Sequence, residues 1–334
     1  MTGAELSRLA EDLGLDVVGA ARAEPYEDTE RHIRERREAG LFADMRFTMA
    51  RPEVSCHPER LLANARSVVA AALCYYVPGP RPDEDEGRLP RYTWSDHYAD
   101  LRTRLDELGR RLGGAYRVLV DENDHVDREA AVRAGVAFYG KNTLAITQKF
   151  GSWVVLGALV TDVEIDPSPR LALDCGDCRL CIDACPTGAL DEPGTLDATK
   201  CLSYWTQAPS SIPEHYRVEL GDKVYGCDIC QDVCPWNHGI ERRRRHHALP
   251  PGSQPVVSLQ EWLERTGEEL VAELDRLYVP RKHPRWLRRN ALIAAGNAGS
   301  PRLRPVVERY EASEDPIIRE TAEWALRRFA GRHA

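Results

Sequence analysis

Apolar and polar positions along the first half of the chain follow two different periods. Residues 4–13 and the more charged stretch 96–112 repeat as helices do, whereas 17–20, 68–76, 115–120 and 153–161 are short, continuous apolar runs. Runs of that length, bounded by Gly, Asp or Pro, read as buried strands. Helical and strand patterns in alternation indicate an α/β domain over residues 1–165. From 166 to 240 the hydrophobic period disappears among Pro, Gly, Asp and Cys. A small domain whose path is set by bound clusters rather than by side-chain packing has that appearance. Beyond Ser258 the pattern is helical. There LRRNALIAAG (287–296) and IRETAEWALRR (318–328) align at an offset of 31 residues, with Arg288 over Arg319, Ala291 over Ala322 and Ala294 over Ala325. Two similar helices at such an offset suggest HEAT-like α-helical repeats in a third domain, 241–334. Residues 78–90, with four prolines and four consecutive acids, have turn chemistry and predict an exposed loop.

Composition adds limits. A chain of 334 residues with 43% hydrophobic residues has material for more than one core and needs no disulfide staples. No run approaches the roughly 18 apolar residues that span a bilayer. The N-terminus carries Glu5, Glu11 and Asp12 where a signal peptide has a basic start and an apolar core. A cytoplasmic protein with no membrane segment is expected, and nothing suggests more than a monomer. The net charge of -8 excludes a globally basic nucleic-acid binder. The distribution nevertheless leaves two basic segments, the arginines at 242–245 and then Arg281, Lys282, Arg285, Arg288 and Arg289, as candidate contacts for a polyanion.

The chemistry is carried by cysteine. Eight of ten cysteines fall between 175 and 234, too concentrated for a secreted disulfide scaffold. Cys175, Cys178, Cys181, Cys185 and Pro186 reproduce the C-x2-C-x2-C-x3-C-P spacing of bacterial ferredoxins, in which the last cysteine serves the other cluster. Cys201, Cys227, Cys230, Cys234 and Pro235 form a second set, with Cys201 standing for its leading cysteine. Crossing over assigns one 4Fe-4S cluster to Cys175, Cys178, Cys181 and Cys234, and another to Cys185, Cys201, Cys227 and Cys230. Zinc knuckles explain neither the triplet nor the interleaved prolines. Cys56 and Cys74 read as small buried hydrophobes.

The segments CGDCRLCIDACPTGAL, CLSYWTQ and YGCDICQDVCPWN, with AGVAFYGKNTLAITQKFGSWVVLGALVTD (134–162) and LLANARSV (61–68) upstream, resemble the epoxyqueuosine reductase family. The resemblance implies an α/β cobalamin-binding domain related to reductive dehalogenases, a two-cluster ferredoxin-like domain, and C-terminal helical repeats that help hold tRNA. By that analogy the clusters reduce cobalt, which acts on the epoxide of epoxyqueuosine at the wobble position. Loss of oxygen as water then leaves queuosine. A flavodoxin- or ferredoxin-like protein is the expected electron donor. The family's proton donor matches Asp121 in the element Val120, Asp121, Glu122, Asn123, and a shifted alignment would make it Asp127. Gly140, Lys141, Asn142 and Thr143, followed by Gly151, Ser152 and Trp153, would meet the corrin. His97 stands in a swapped order relative to the family pattern, so no lower axial cobalt ligand is assigned. Two other readings of the cysteines are a cobalamin-dependent reductive dehalogenase of a small organohalide and a ferredoxin-like electron carrier.

Overall fold

The computed structural model describes residues 1–121 and 124–331. Its first part is built on a sheet of four strands. These are β1 (Val17–Arg22), β2 (Ser67–Cys74), a strand at Tyr116–Leu119 and one at Val154–Thr161, and their spatial order is β1, β2, Val154–Thr161, Tyr116–Leu119. Every neighbouring pair is antiparallel. The helix–strand alternation in the sequence therefore does not produce parallel crossover units. All eight residues of β2 are buried, which explains why its sequence is a continuous apolar run rather than an alternating one. Val69, Ala71 and Leu73 face one core with Leu101, Leu105 and Leu108 of the helix His97–Leu112. Val68, Ala70 and Ala72 face the other, with Ala130, Ala131 and Ala134. Successive strand residues pointing to opposite faces account for the split. Gly157 allows the close approach of the helix, since a Cβ there would lie 2.8 Å from Leu105 Cδ1.

One expectation about this half changes. Within residues 78–90, Glu86–Arg88 form β3, paired antiparallel with Val256–Ser258, and Gly87, Leu89 and Pro90 are buried. Leu89 and Trp94 belong to the large core that also contains Leu220, Leu259, Trp262, Leu292 and Phe329. Pro78, Pro80, Pro82, Asp83 and Glu84 occupy the outer part of the segment, while its end from Gly87 to Pro90 is threaded into the C-terminal part. Turn chemistry marked the bend and gave no sign of the strand pairing.

In the C-terminal part the aligned segments lie in the helices Arg285–Ala298 and Pro316–Gly331, which pack on one another. The matched alanines, Ala291, Ala294, Ala322 and Ala325, are all buried, and small side chains let two helix backbones approach. None of the described helices is long and apolar enough to cross a membrane.

Arg289, grouped by sequence with the basic patch, has no solvent exposure. Its guanidinium donates to the carbonyls of Trp205 (2.9 Å), Thr206 (3.2 Å), Ala208 (2.8 Å) and Ser210, and to Asn290 Oδ1 (3.0 Å). Trp205 and Thr206 end the helix Leu202–Gln207, where carbonyls lack intrahelical partners and favour a cation. Burial, then the nearby Arg217, pull the Arg289 pKa down to about 9. Replacing it with Met should strand several buried carbonyls and cost at least about 3 kcal/mol. Arg242→Met, at an exposed position, should change stability by under about 0.5 kcal/mol. Urea midpoints of the two variants check this.

Candidate active site

The structure brings the two cysteine motifs side by side. Two short helices, Leu180–Asp183 and Ile229–Asp232, lie within the two cysteine motifs and pack against each other. Burial, and after it the charges of Cys175, Cys181 and Cys178, push the Cys234 thiol up to about 11. Cys230 is raised by burial and then by Cys227 and Cys201, and Cys201 by burial with Cys185 beside it. Cys227 is pushed up to about 12, chiefly by burial. Cys234 thus lies near Cys175, Cys178 and Cys181, and Cys230 near Cys227, Cys201 and also Cys181. Backbone N–H groups of Ser203 and Tyr204 point at Cys201, that of Ile229 at Cys227 and that of Trp236 at Cys234. Thiols half-buried or, at Cys234, buried, held near one another and met by amide dipoles, suit iron–sulfur ligation, where the metal offsets the charge of the thiolates. Among the described residues no three His, Cys, Asp or Glu converge as ligands of one metal ion. A cubane does not require such convergence, because each of its thiolates binds a different iron. Cys56 and Cys74 are buried, and burial raises both to about 11, so neither is poised to react.

A cavity of about 400 Å³ opens beside one of these groups. Cys185, Cys201, Cys227 and Cys230 all line it; Cys175, Cys178, Cys181 and Cys234 do not. It lies at one end of the sheet, where Tyr75 follows β2, Asp121 follows the strand Tyr116–Leu119, and Val154, Val155 and Leu156 begin the last strand. Asn142, Thr143 and Ser152 supply polar groups to its wall, and Tyr92 and Tyr98 supply rings. Apolar surface with a few placed polar groups is the usual lining of a cofactor site.

The two acids of the proton-donor assignment both reach this cavity. Asp121 is exposed, with its backbone in the left-handed region at φ 54°, a conformation that non-glycine residues keep mainly where structure or function requires it. Asp127 is held from behind, with Oδ1 3.2 Å from His125 Nδ1 and the buried ring's Nε2 3.2 Å from Tyr26 OH. Glu122 and Asn123, named with Asp121 in the sequence element, lie outside the described residues.

The residues expected to meet a corrin divide. Asn142, Thr143 and Ser152 line the cavity; Gly140, Lys141, Gly151 and Trp153 do not. Lys141 Nζ donates to the carbonyls of Gly176 (2.6 Å) and Cys178 (3.0 Å), bracing the first cysteine loop. Trp153 is fully buried and donates from Nε1 to Glu241 Oε1 at 3.0 Å. Gly151 has φ 60°, and a Cβ there would come within 2.0 Å of Asn237 Oδ1. This bare backbone lets Ser152 N donate to Asn237 Oδ1 (2.7 Å), while Asn237 Nδ2 donates to Gln231 O (2.7 Å). Gln231 Nε2 in turn donates to Ser152 O (2.9 Å) and to Tyr75 OH (3.1 Å). His97 starts its helix beside Tyr75, with ring centroids 5.7 Å apart, and does not line the cavity. Sequence reasoning missed Tyr75, Tyr92, Tyr98, Gln231 and Asp228. The signal for the last two was their place beside cluster cysteines. Asp228, between Cys227 and Cys230, is pushed up to about 6 by burial, against the opposing hydrogen bond from Arg91 N at 2.9 Å.

The basic segments are thinner than the sequence indicates. Besides Arg289, Arg244 donates to the carbonyls of Cys74 (3.2 Å) and Tyr76 (3.1 Å), Arg243 donates to Lys149 O, Arg288 to Arg265 O (2.7 Å), and Arg285 pairs with Asp315 (3.0 Å). Arg242, Arg245, Arg281 and Lys282 remain exposed.

Comparison with known proteins decides the family. Residues 56–125 match the model described as "Epoxyqueuosine reductase QueG, DUF1730", and residues 174–237 match a 4Fe-4S double cluster binding domain. An epoxyqueuosine reductase of Lactococcus garvieae is 31% identical, the alignment covering 98% of this chain and 96% of that protein. The chain belongs to the epoxyqueuosine reductase family. An epoxyqueuosine reductase solved with an epoxyqueuosine-modified tRNA-Tyr stem loop superposes with a TM-score of 0.86 at 30% identity, covering 98% of this chain and 89% of that one. A Bacillus subtilis member, also 30% identical with a TM-score of 0.86 and covering 98% of this chain and 90% of that one, is described with its aspartate catalytic loop swung out of the active site. The α/β and double-cluster parts of this chain are therefore those of an oxidoreductase family.

The FGSW element works through backbone shape in this family member. Gly151→Ala should cost on the order of 2 kcal/mol or more by opening the Ser152–Asn237 contact. Ser152→Ala, which keeps the backbone donor, should cost less. Denaturant midpoints at unchanged slope distinguish the two.

Proposed function

We propose that this chain reduces epoxyqueuosine to queuosine at the wobble position of tRNA, with cobalamin and two 4Fe-4S clusters as resident cofactors. The observation that carries the reading is a cavity walled on one side by all four cysteines of one group and bordered by Asp121 and Asp127. Family membership agrees with it. When bound there, cobalamin would supply a low-valent cobalt centre and the clusters its electrons.

The chain's own residues have separable tasks. Cys185, Cys201, Cys227 and Cys230 would hold the cluster nearer the cavity, and Cys175, Cys178, Cys181 and Cys234 the outer one, where a flavodoxin- or ferredoxin-like donor would deliver electrons. Val154, Val155 and Leu156 would form an apolar floor, and Thr143, with Asn142 and Ser152 held in the wall by protein hydrogen bonds, would meet the cofactor's amide edge. Asp121 would give the proton to the departing oxygen. Its strained position on a loop after a strand parallels the aspartate loop described for the Bacillus subtilis relative. Asp127, braced by His125, would set the charge of the wall instead. Residues 1–165 would form the catalytic domain, 166–240 the cluster domain and 241–334 a HEAT-like helical domain on the tRNA side of a cytoplasmic monomer. A simple electron carrier would have no use for the cavity.

The test is conversion of epoxyqueuosine-tRNA by reconstituted protein with cobalamin and a strong reductant, read in a nucleoside digest. An unchanged epoxide nucleoside would overturn the proposal. Asp121→Asn should lower turnover by about 10²–10⁴-fold with cluster absorbance intact, and Asp127→Asn should lower it by less than about tenfold. The reverse order would transfer the proton-donor role to Asp127.

A further inference from the structure

Two exposed aromatic side chains lie outside the lining of the cavity. Phe47 is 39% exposed and Tyr278 54%. They are far apart in sequence yet meet edge to face, with ring centroids 5.7 Å apart and planes at 67°. In such a pair the ring that gives its edge keeps its own faces open. Solvent exposure of paired aromatic rings has no stabilising purpose for the fold itself, because burying them would be favoured.

Both rings have firm supports. Tyr278 points outward from a segment in which Leu277, Val279 and Pro280 are buried, and its carbonyl accepts from Tyr225 OH at 3.0 Å. Around Phe47, Phe42 and Met49 pack on the small core of Tyr26, Ile33 and Cys56, and Ser55 Oγ donates to Thr48 O at 2.8 Å. The loop of Phe47 is also tied to the cavity wall. Tyr204 OH donates to Asp44 Oδ1 at 2.6 Å, and the preceding residue, Ser203, lines the cavity.

Exposed cations stand near both rings in sequence, together with the acids Asp44 and Asp275. Arg46, Arg281 and Lys282 adjoin the two aromatics in sequence and are exposed. None has an ion-pair partner among the described residues. Arg281 and Lys282 hold left-handed backbone at φ 53° and 49°, a strained arrangement for two consecutive non-glycine residues. Open aromatic faces flanked by unpaired cations are the combination that binds single-stranded nucleic acid, with rings taking bases and cations taking phosphates.

We propose that Phe47 and Tyr278 form a stacking platform for an unpaired base of the substrate RNA, next to the nucleotide that enters the cavity, with Arg46, Arg281 and Lys282 on the adjoining phosphates. The proposal rests on the reading of the substrate as RNA. It separates two tasks: the cavity recognises the modified nucleoside, and the platform recognises the strand that carries it.

The experiment uses full-length protein with both clusters and cobalamin. It measures binding of a labelled stem–loop RNA bearing epoxyqueuosine across a salt series, and reduction of that RNA. Phe47→Ala and Tyr278→Ala should each weaken binding about 5- to 100-fold with the salt dependence unchanged. Phe47→Leu and Tyr278→Leu should bind as poorly, since they keep apolar bulk but lose the π face, whereas Phe47→Trp and Tyr278→Phe should stay close to the parent. Arg281→Ala with Lys282→Ala should instead flatten the slope of log K against log salt by about 1.4. Parent-like RNA binding by the Ala and Leu variants would overturn the platform. If those variants bound RNA normally but accepted electrons poorly from a protein donor, the surface would be a protein-docking site and the proposal equally wrong. A parent protein that neither bound nor reduced the RNA would remove the functional reading itself, an outcome distinct from failure of the platform alone.

Discussion

The arrangement depends first on the buried amide network that locks the sheet to the second cysteine motif. Ser152, at the start of the last strand, is joined to Asn237 and Gln231, and Gln231 reaches Tyr75 at the end of β2. In a dry interior an unpaired amide is costly, so each of these groups requires the others in place. The network therefore sets the distance between the end of the sheet, which carries the cavity floor, and Cys227, Cys230 and Cys234. A redox site divided between two structural units needs this, because electron transfer and proton delivery both depend on short, constant separations.

A second buried polar junction does the same for the C-terminal helices. Arg289 and Asn290 bind carbonyls at and just beyond the end of the helix that follows Cys201, and Asn290 also donates to Val224 O at 2.8 Å. The segment around Leu89 and Trp94 is enclosed in the same core. The helical part is thus continuous with the cysteine-bearing part.

Much was legible in the chain itself. The strand runs, the helix 96–112 and the two C-terminal helices fall where periodicity places them, because burial on a sheet or between helices repeats with the period of the element. The double-cluster domain was legible because its cysteine and proline spacing repeats that of ferredoxins. Less legible was everything that depends on partners distant in sequence. β3 is three residues whose pairing partner is 170 positions away, and Arg289 looks like any surface arginine until its carbonyl partners are known.

Local sequence by itself determined the elements, the two cysteine sets and the family, since each follows from spacings of a few residues. Only the tertiary structure decided which cysteine group faces the cavity, that Lys141 and Gly151 support the cluster loops rather than line the cavity, and which arginines are left for a ligand. These are questions of which distant groups share one volume, and burial and hydrogen-bond satisfaction answer them after the chain has closed on itself.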